Sequence, residues 1–232
     1  MAVEQSSHRF QLGAWVVTST IGWTVGLALG SATSNTIAFT FHENVGLELW
    51  WLGVSGAMAG ASVGLMQWLI LRRQLSRAGW WVLASIVGGA VGFSLAGRFP
   101  LNPTVGFGPI GPVGRLHGDV TAVAVLGIQI GAPLGIVQWF VLRQRFFRAG
   151  WWLLANIVGF AAGFAAGSVT DPVVVPLMVA IGMALGPMPI SAFIIGAVGS
   201  GGLGLVVGLV IGAITGMMLA WLWRRTAKTQ MG

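Results

Sequence analysis

Apolar residues run along this chain in long blocks and not in alternation. Six blocks, at about residues 13–31, 49–71, 80–98, 120–142, 151–168 and 201–223, are almost free of charge. Each reaches the roughly 18–20 residues that a helix needs to cross a bilayer core of about 30 Å. A lipid-exposed segment must satisfy its own backbone hydrogen bonds, so blocks of this length predict transmembrane helices. The polar connections at about 31–48 and 98–119 predict loops. Residues 172–199 are apolar but broken by Pro172, Pro176, Pro187 and Pro189. A seventh crossing there would put Arg224 and Arg225 on the wrong side, so a re-entrant or interfacial pair of short helices is expected. The expectation is thus an all-α transmembrane fold, a six-helix bundle in a single membrane domain covering residues 1–232.

Self-comparison explains the order of the blocks. Residues 60–96 (GASVGLMQWLILRRQLSRAGWWVLASIVGGAVGFSLA) align without a gap with 131–167 (GAPLGIVQWFVLRQRFFRAGWWLLANIVGFAAGFAAG). Each copy is an apolar helix, a short basic turn and a second apolar helix. A third copy is split between the ends. Residues 212–225 align with 60–73 through Gly212, Gly216, Arg224 and Arg225, and residues 14–29 align with 80–95 through Trp15, Ser19, Gly22 and Gly26. In that alignment Leu219 and Ala220 replace the Gln-Trp pair. The chain reads as three helical hairpins in circularly permuted order, related by a pseudo-threefold axis along the membrane normal. The first apolar run could pass for a signal peptide, but its internal matches mark it as a retained helix.

Composition agrees with insertion: 56% of residues are hydrophobic and 7% charged, where soluble domains carry roughly 25% charge. There is no Cys, which excludes disulfides, thiol chemistry and a Cys zinc site. The net charge of +7 does not point to nucleic acid, because the basic residues sit at block ends and no soluble basic domain carries them. Arg9, Arg72, Arg73, Arg77, Arg143, Arg145, Arg148, Arg224, Arg225 and Lys228 fall on one face with only Glu4. The positive-inside rule places that face and both termini in the cytoplasm, for a multi-pass protein of the bacterial inner membrane. Nine of the twelve Trp lie near the same ends, where indoles are expected to sit among headgroups.

Small residues recur every four positions: Gly22 and Gly26, Gly60 and Gly64, Gly88 and Gly92, Gly131 and Gly135, Gly159 and Gly163, and Gly208, Gly212 and Gly216. Such glycine-zipper or GxxxG spacing puts a smooth stripe on one helix face and predicts close helix packing. Gln67, Gln138, Ser19, Ser85 and Asn156 recur at one depth, about 6–8 Å inside the basic boundary at 1.5 Å per residue. They predict either interhelical hydrogen bonds or a ligand-binding polar layer. The turn residues Arg72, Arg73, Arg77, Arg143, Arg145 and Arg148 fit a role in topology, and also contact with anionic lipid headgroups. His42 and His117 lie in connections without tight metal-ligand spacing, so no metal and no cofactor is expected. No ionisable residue lies inside a span, unlike in proton-coupled carriers and pumps, and no nucleophile with a positioned base is recognisable. An enzyme is not expected.

The tandem pattern QWxxLR, basic turn, RAGWW and spaced glycines, carried by Gln67-Trp68, Arg77 to Trp81, Gln138-Trp139 and Arg148 to Trp152, covers nearly the whole chain. It resembles a group of small bacterial polytopic membrane proteins, found in photosynthetic and filamentous bacteria, to which no activity is assigned. The resemblance implies a membrane protein without catalytic residues. The residues favour a non-enzymatic scaffold or accessory subunit, with membrane lipids and other membrane-protein subunits as partners. The alternatives are a passive channel or small-solute permease, and a pigment or quinone binder using Gln, Asn or His.

Overall fold

The computed structural model describes residues 11–40, 48–75, 77–98 and 120–229, and these are helical apart from short turns. Among the described residues there are seven α-helices: α1 (Leu12–Thr40), α2 (Glu48–Leu71), α3 (Gly79–Arg98), α4 (Val120–Leu142), α5 (Gly150–Gly167), α6 (Asp171–Leu185) and α7 (Pro189–Thr229). All except α6 are long and apolar enough to cross a membrane. The chain is a multi-pass membrane protein.

The antiparallel pairs α2–α3, α4–α5 and α7–α1 alternate with α1–α2, α3–α4 and α5–α7 contacts to form a closed ring. Every seam of that ring is a glycine seam. Gly22 and Gly26 of α1 face Val63 and Ala59 of α2, Gly60 and Gly64 face Ser85 of α3, and Gly88 and Gly92 face Leu134 and Ile130 of α4. Gly131 and Gly135 face Asn156, Gly159 and Gly163 face Ile211 and Val207, and Gly208, Gly212 and Gly216 of α7 face Thr20, Ser19 and Trp15 of α1. Without a hydrophobic force between helices in lipid, this close backbone approach and its dispersion contacts drive association. The outward stripes are apolar and exposed, as in Val17, Ile21, Val25 and Leu29 of α1 or Leu83, Val87, Val91 and Leu95 of α3.

The two basic turns are built alike. Gln74 and Leu75 donate backbone N–H to Leu71 O, and Arg145 and Phe146 donate to Leu142 O, while Trp81 and Trp152 donate to Ala78 O and Ala149 O. These tight turns hold Arg72, Arg73 and Arg77, and Arg143, Arg145 and Arg148, at the end of the ring that also receives Arg224 and Arg225.

Three helix boundaries differ from the sequence expectation. The polar stretch after Gly30 continues α1 to Thr40, because its Ser and Thr hydroxyls are absorbed locally. Thr36 and Thr40 donate to the carbonyls of Ala32 and Thr36, and Ser34 donates to Trp51 O of α2. Segment 172–199 is not a pair of short helices. Residues 172–185 belong to α6, and Pro189 opens α7, where a missing N–H costs nothing at a helix start. Helix α7 is 41 residues long, about 62 Å at 1.5 Å per residue, roughly twice the bilayer core. Its first turns pair with α6 through Gly199 on Met178 and Gly202 on Val174, beyond the level where α5 ends at Leu203. Gly186, at φ 68°, makes the bend between α6 and α7, a conformation for which glycine is the default residue. The expected spans at 49–71, 80–98, 120–142 and 151–168 agree with α2 to α5 within two residues.

Candidate functional site

On each ring helix one polar residue divides two apolar clusters. Toward the Arg-rich end lie Trp15, Leu71, Trp81, Leu142, Trp152 and Leu219; away from it lie Trp23, Val63, Phe93, Leu134, Phe160 and Ile211. Between them stand Ser19, Gln67, Ser85, Gln138, Asn156 and Thr215, all at most 4% exposed. In a medium with no water, such a layer persists only if its groups bond one another.

They do so in a repeated scheme. The Trp81 indole N–H donates to Gln67 Oε1 at 3.0 Å, and Gln67 Nε2 donates across the α1–α2 seam to Ser19 Oγ at 3.0 Å. One hairpin further, Trp152 donates to Gln138 Oε1 and Gln138 Nε2 donates across the α3–α4 seam to Ser85 Oγ, both at 3.0 Å. Ser85 Oγ returns its own proton to Trp81 O. Each glutamine therefore joins its own hairpin and staples it to the one before.

The third hairpin uses a different acceptor. Trp15 donates to Thr215 Oγ1 at 3.1 Å, and Thr215 donates to Ile211 O. Asn156 donates back to Trp152 O of its own helix, and among the described residues no side-chain hydrogen bond ties it to α7. Gly212, aligned by sequence with Gly60, meets Ser19 Cβ and Val16 Cα as Gly64 meets Ser85 Cβ and Val82 Cα. Gly208 lies against Ser19 O as Gly60 lies against Ser85 O, and Thr215 accepts from Trp15 as Gln67 accepts from Trp81. Leu219 stands instead with Leu71 and Leu142, each 0% exposed.

The layer rests on three indoles that were expected among headgroups. Trp15, Trp81 and Trp152 are fully buried and meet edge to face, with centroids 6.2, 6.2 and 5.5 Å apart. Each comes from the second helix of a hairpin and lies one turn before its Ser or Asn. Edge-to-face indoles are favourable by about 0.5–1.5 kcal/mol per pair beyond their burial. They fill the centre of the ring, with Trp23 packed on Phe160 (5.0 Å) in the neighbouring cluster. Sequence reasoning found five of the six polar positions and missed Thr215 and the indole triad. The signal was the four-residue step from Trp15, Trp81 and Trp152 to Ser19, Ser85 and Asn156.

Other tryptophans do sit at the Arg-rich end. The Arg72 guanidinium lies 5.1 Å over Trp68, Arg143 lies 5.2 Å over Trp139, and Arg225 lies 5.0 Å over Trp221. Among the described residues no group of His, Cys, Asp and Glu has metal-site geometry, and His8, His42 and His117 lie outside those residues. No family model, curated protein or solved structure matches the chain.

Proposed function

We propose that this chain is a non-enzymatic scaffold or accessory subunit of a membrane complex. The observation that carries the reading is the commitment of the polar layer to internal bonds: its six side chains are buried and engaged with one another or with backbone carbonyls. A permease pathway needs such groups turned toward water, and three buried indoles packed edge to face in the ring's centre oppose one. Both glutamine amides of this layer are engaged at oxygen and nitrogen, which opposes their use as ligands to a pigment or quinone.

The reading includes an architecture. The three hairpins are copies of one repeat in circularly permuted order about a pseudo-threefold axis, supported by the matched seams and the matched bonds of Trp15, Trp81 and Trp152. The Arg-rich end and both termini lie in the cytoplasm, with the protein in a bacterial inner membrane, supported by the distribution of Arg and by arginines stacked on interfacial tryptophans. Its partners are lipids and other membrane-protein subunits, which meet its charge-free outer stripes.

The test is gentle extraction from the native membrane, followed by mass and absorbance measurement. A discrete, colourless assembly larger than the chain, with reproducible co-purifying subunits, is expected. Recovery of the isolated 24.2 kDa chain with solute flux in liposomes would replace this reading with a channel.

A further inference from the structure

After the ring contacts are assigned, Arg73, Arg77 and Arg148 are left over at the basic turns, and of these Arg77 and Arg148 each precede an exposed indole. Arg72 and Arg143 are stacked on Trp68 and Trp139, but among the described residues no ion pair or aromatic face holds Arg77 or Arg148, and both are exposed. Each stands three residues before an exposed indole, Trp80 at 59% and Trp151 at 50%. Below each indole the same helix face continues outward as an exposed apolar stripe, through Leu83 and Val87 on α3 and Leu154 and Val158 on α5. A cation, an interfacial indole and an apolar track thus follow one another down the helix, in the order of a phosphate, a glycerol backbone and an acyl chain. Topology alone asks only for positive charge at this end, and places no demand on what lies three and ten residues further on.

We propose that α3 and α5 each hold one anionic phospholipid, with Arg77 and Arg148 on the lipid phosphate. The inference rests on the Arg-rich end lying at the membrane surface, as read above. A guanidinium matches a phosphate with two parallel hydrogen bonds, and an indole with one polar edge fits the headgroup level. The chain carries its own control. The corresponding positions before and in α1 are Gln11, exposed and uncharged, and Ala14 in place of the indole, with the stripe Val17 and Ile21 below them. Two lipids are therefore held, and not three.

The experiment is native mass spectrometry of the full chain, released from nanodiscs of equal phosphatidylglycerol and phosphatidylcholine. The expected result is two retained phosphatidylglycerols, one after Arg77→Gln or Arg148→Gln, and none in the double variant. The paired change Gln11→Arg with Ala14→Trp, which supplies both missing groups, is expected to add a third, a gain that misfolding cannot mimic. Retention of two lipids by the Arg77→Gln, Arg148→Gln double variant, equal retention of phosphatidylcholine, or an unchanged count after the paired change at Gln11 and Ala14 would overturn the proposal. So would displacement of the lipids by millimolar inorganic phosphate, which would assign the arginines to a soluble anion. Lipid count is read on the isolated chain, so it is independent of whether partner subunits exist. Protease access to the C-terminus in sealed vesicles reports the orientation separately.

Discussion

A threonine hydroxyl accepts from Trp15 where glutamine amides accept from Trp81 and Trp152, and the difference has a consequence across the ring. Glutamine has a second arm that donates to the preceding hairpin; threonine does not, and Asn156 turns back on its own helix. Thr215→Val keeps the side chain's shape and removes the hydroxyl oxygen that accepts from the Trp15 indole. Leaving that buried N–H without its acceptor is expected to cost about 1–3 kcal/mol. Leu219→Gln, the substitution that the sequence alignment would offer as restoring the repeat, places an amide between Leu71 and Leu142 and is expected to destabilise as well. Reversible unfolding in micelles reads both. A neutral Thr215→Val beside a stabilising Leu219→Gln would mean that the register of α7 is displaced by one turn. The sequence could not decide this point, because glycines at four-residue spacing look the same after a slip of four. Only the contacts of Gly208 and Gly212 break that degeneracy. Ser19, Gln67, Ser85, Gln138 and Asn156 were legible because a polar side chain at constant depth in an apolar block has few explanations. The buried indoles were not, because Trp at the end of a block is normally an interfacial anchor.

Between elements, the three seams that join hairpins are unequal. A methyl added at Gly22 would lie 2.6 Å from Val63 Cα, and one at Gly88 2.7 Å from Leu134 Cα, distances at which the backbones must part. At Gly159 on the α5–α7 seam, the nearest atom would be Ile211 Cα at 3.6 Å, an ordinary contact. Overpacking costs typically 1–3 kcal/mol, whereas alanine in a helix is favoured over glycine by roughly 0.5–1 kcal/mol. Gly22→Ala and Gly88→Ala are therefore expected to lower the unfolding free energy by about 1–3 kcal/mol, and Gly159→Ala to leave it unchanged or raise it by up to about 1 kcal/mol. Equal losses at all three positions would show that the α5–α7 seam is as tight as the others. The widest seam is also the one without a glutamine staple, so spacing and hydrogen bonding point the same way. Helix existence and the inner–outer division of faces were written in the apolar blocks. Helix length was not, since Ser34, Thr36 and Thr40 satisfy their hydroxyls on carbonyls of α1 and α2, which a sequence presents only as a loop-like composition.

For the whole molecule, the closed ring makes the position of the chain ends a matter of connectivity rather than of packing. The α7–α1 hairpin is closed the long way round, with Trp15 and Thr215 separated by 200 residues, whereas Gln138 and Ser85 across the α3–α4 seam are 53 apart. Joining the C-terminus to Met1 and opening the chain within residues 99–119 would give the order α4, α5, α6, α7, α1, α2, α3, with all three hairpins contiguous. The join is short enough. Gly216 faces Leu12, the 13 residues from there to Thr229 rise about 20 Å, and the residues preceding Leu12 can span more than 30 Å. Loop-closure cost grows by only about 0.6 kcal/mol per doubling of length, and here it is mostly exchanged. The α7–α1 contacts become local while the α3–α4 contacts become distant. The permuted chain is expected to insert, elute with the parent on size exclusion and unfold within a few degrees of it. If the hairpins are units of one repeat, their stability resides in seams that the permutation leaves intact. A permutant that inserts but elutes as aggregate would locate the order of synthesis, and not the ring of seams, as what brings α7 onto α1.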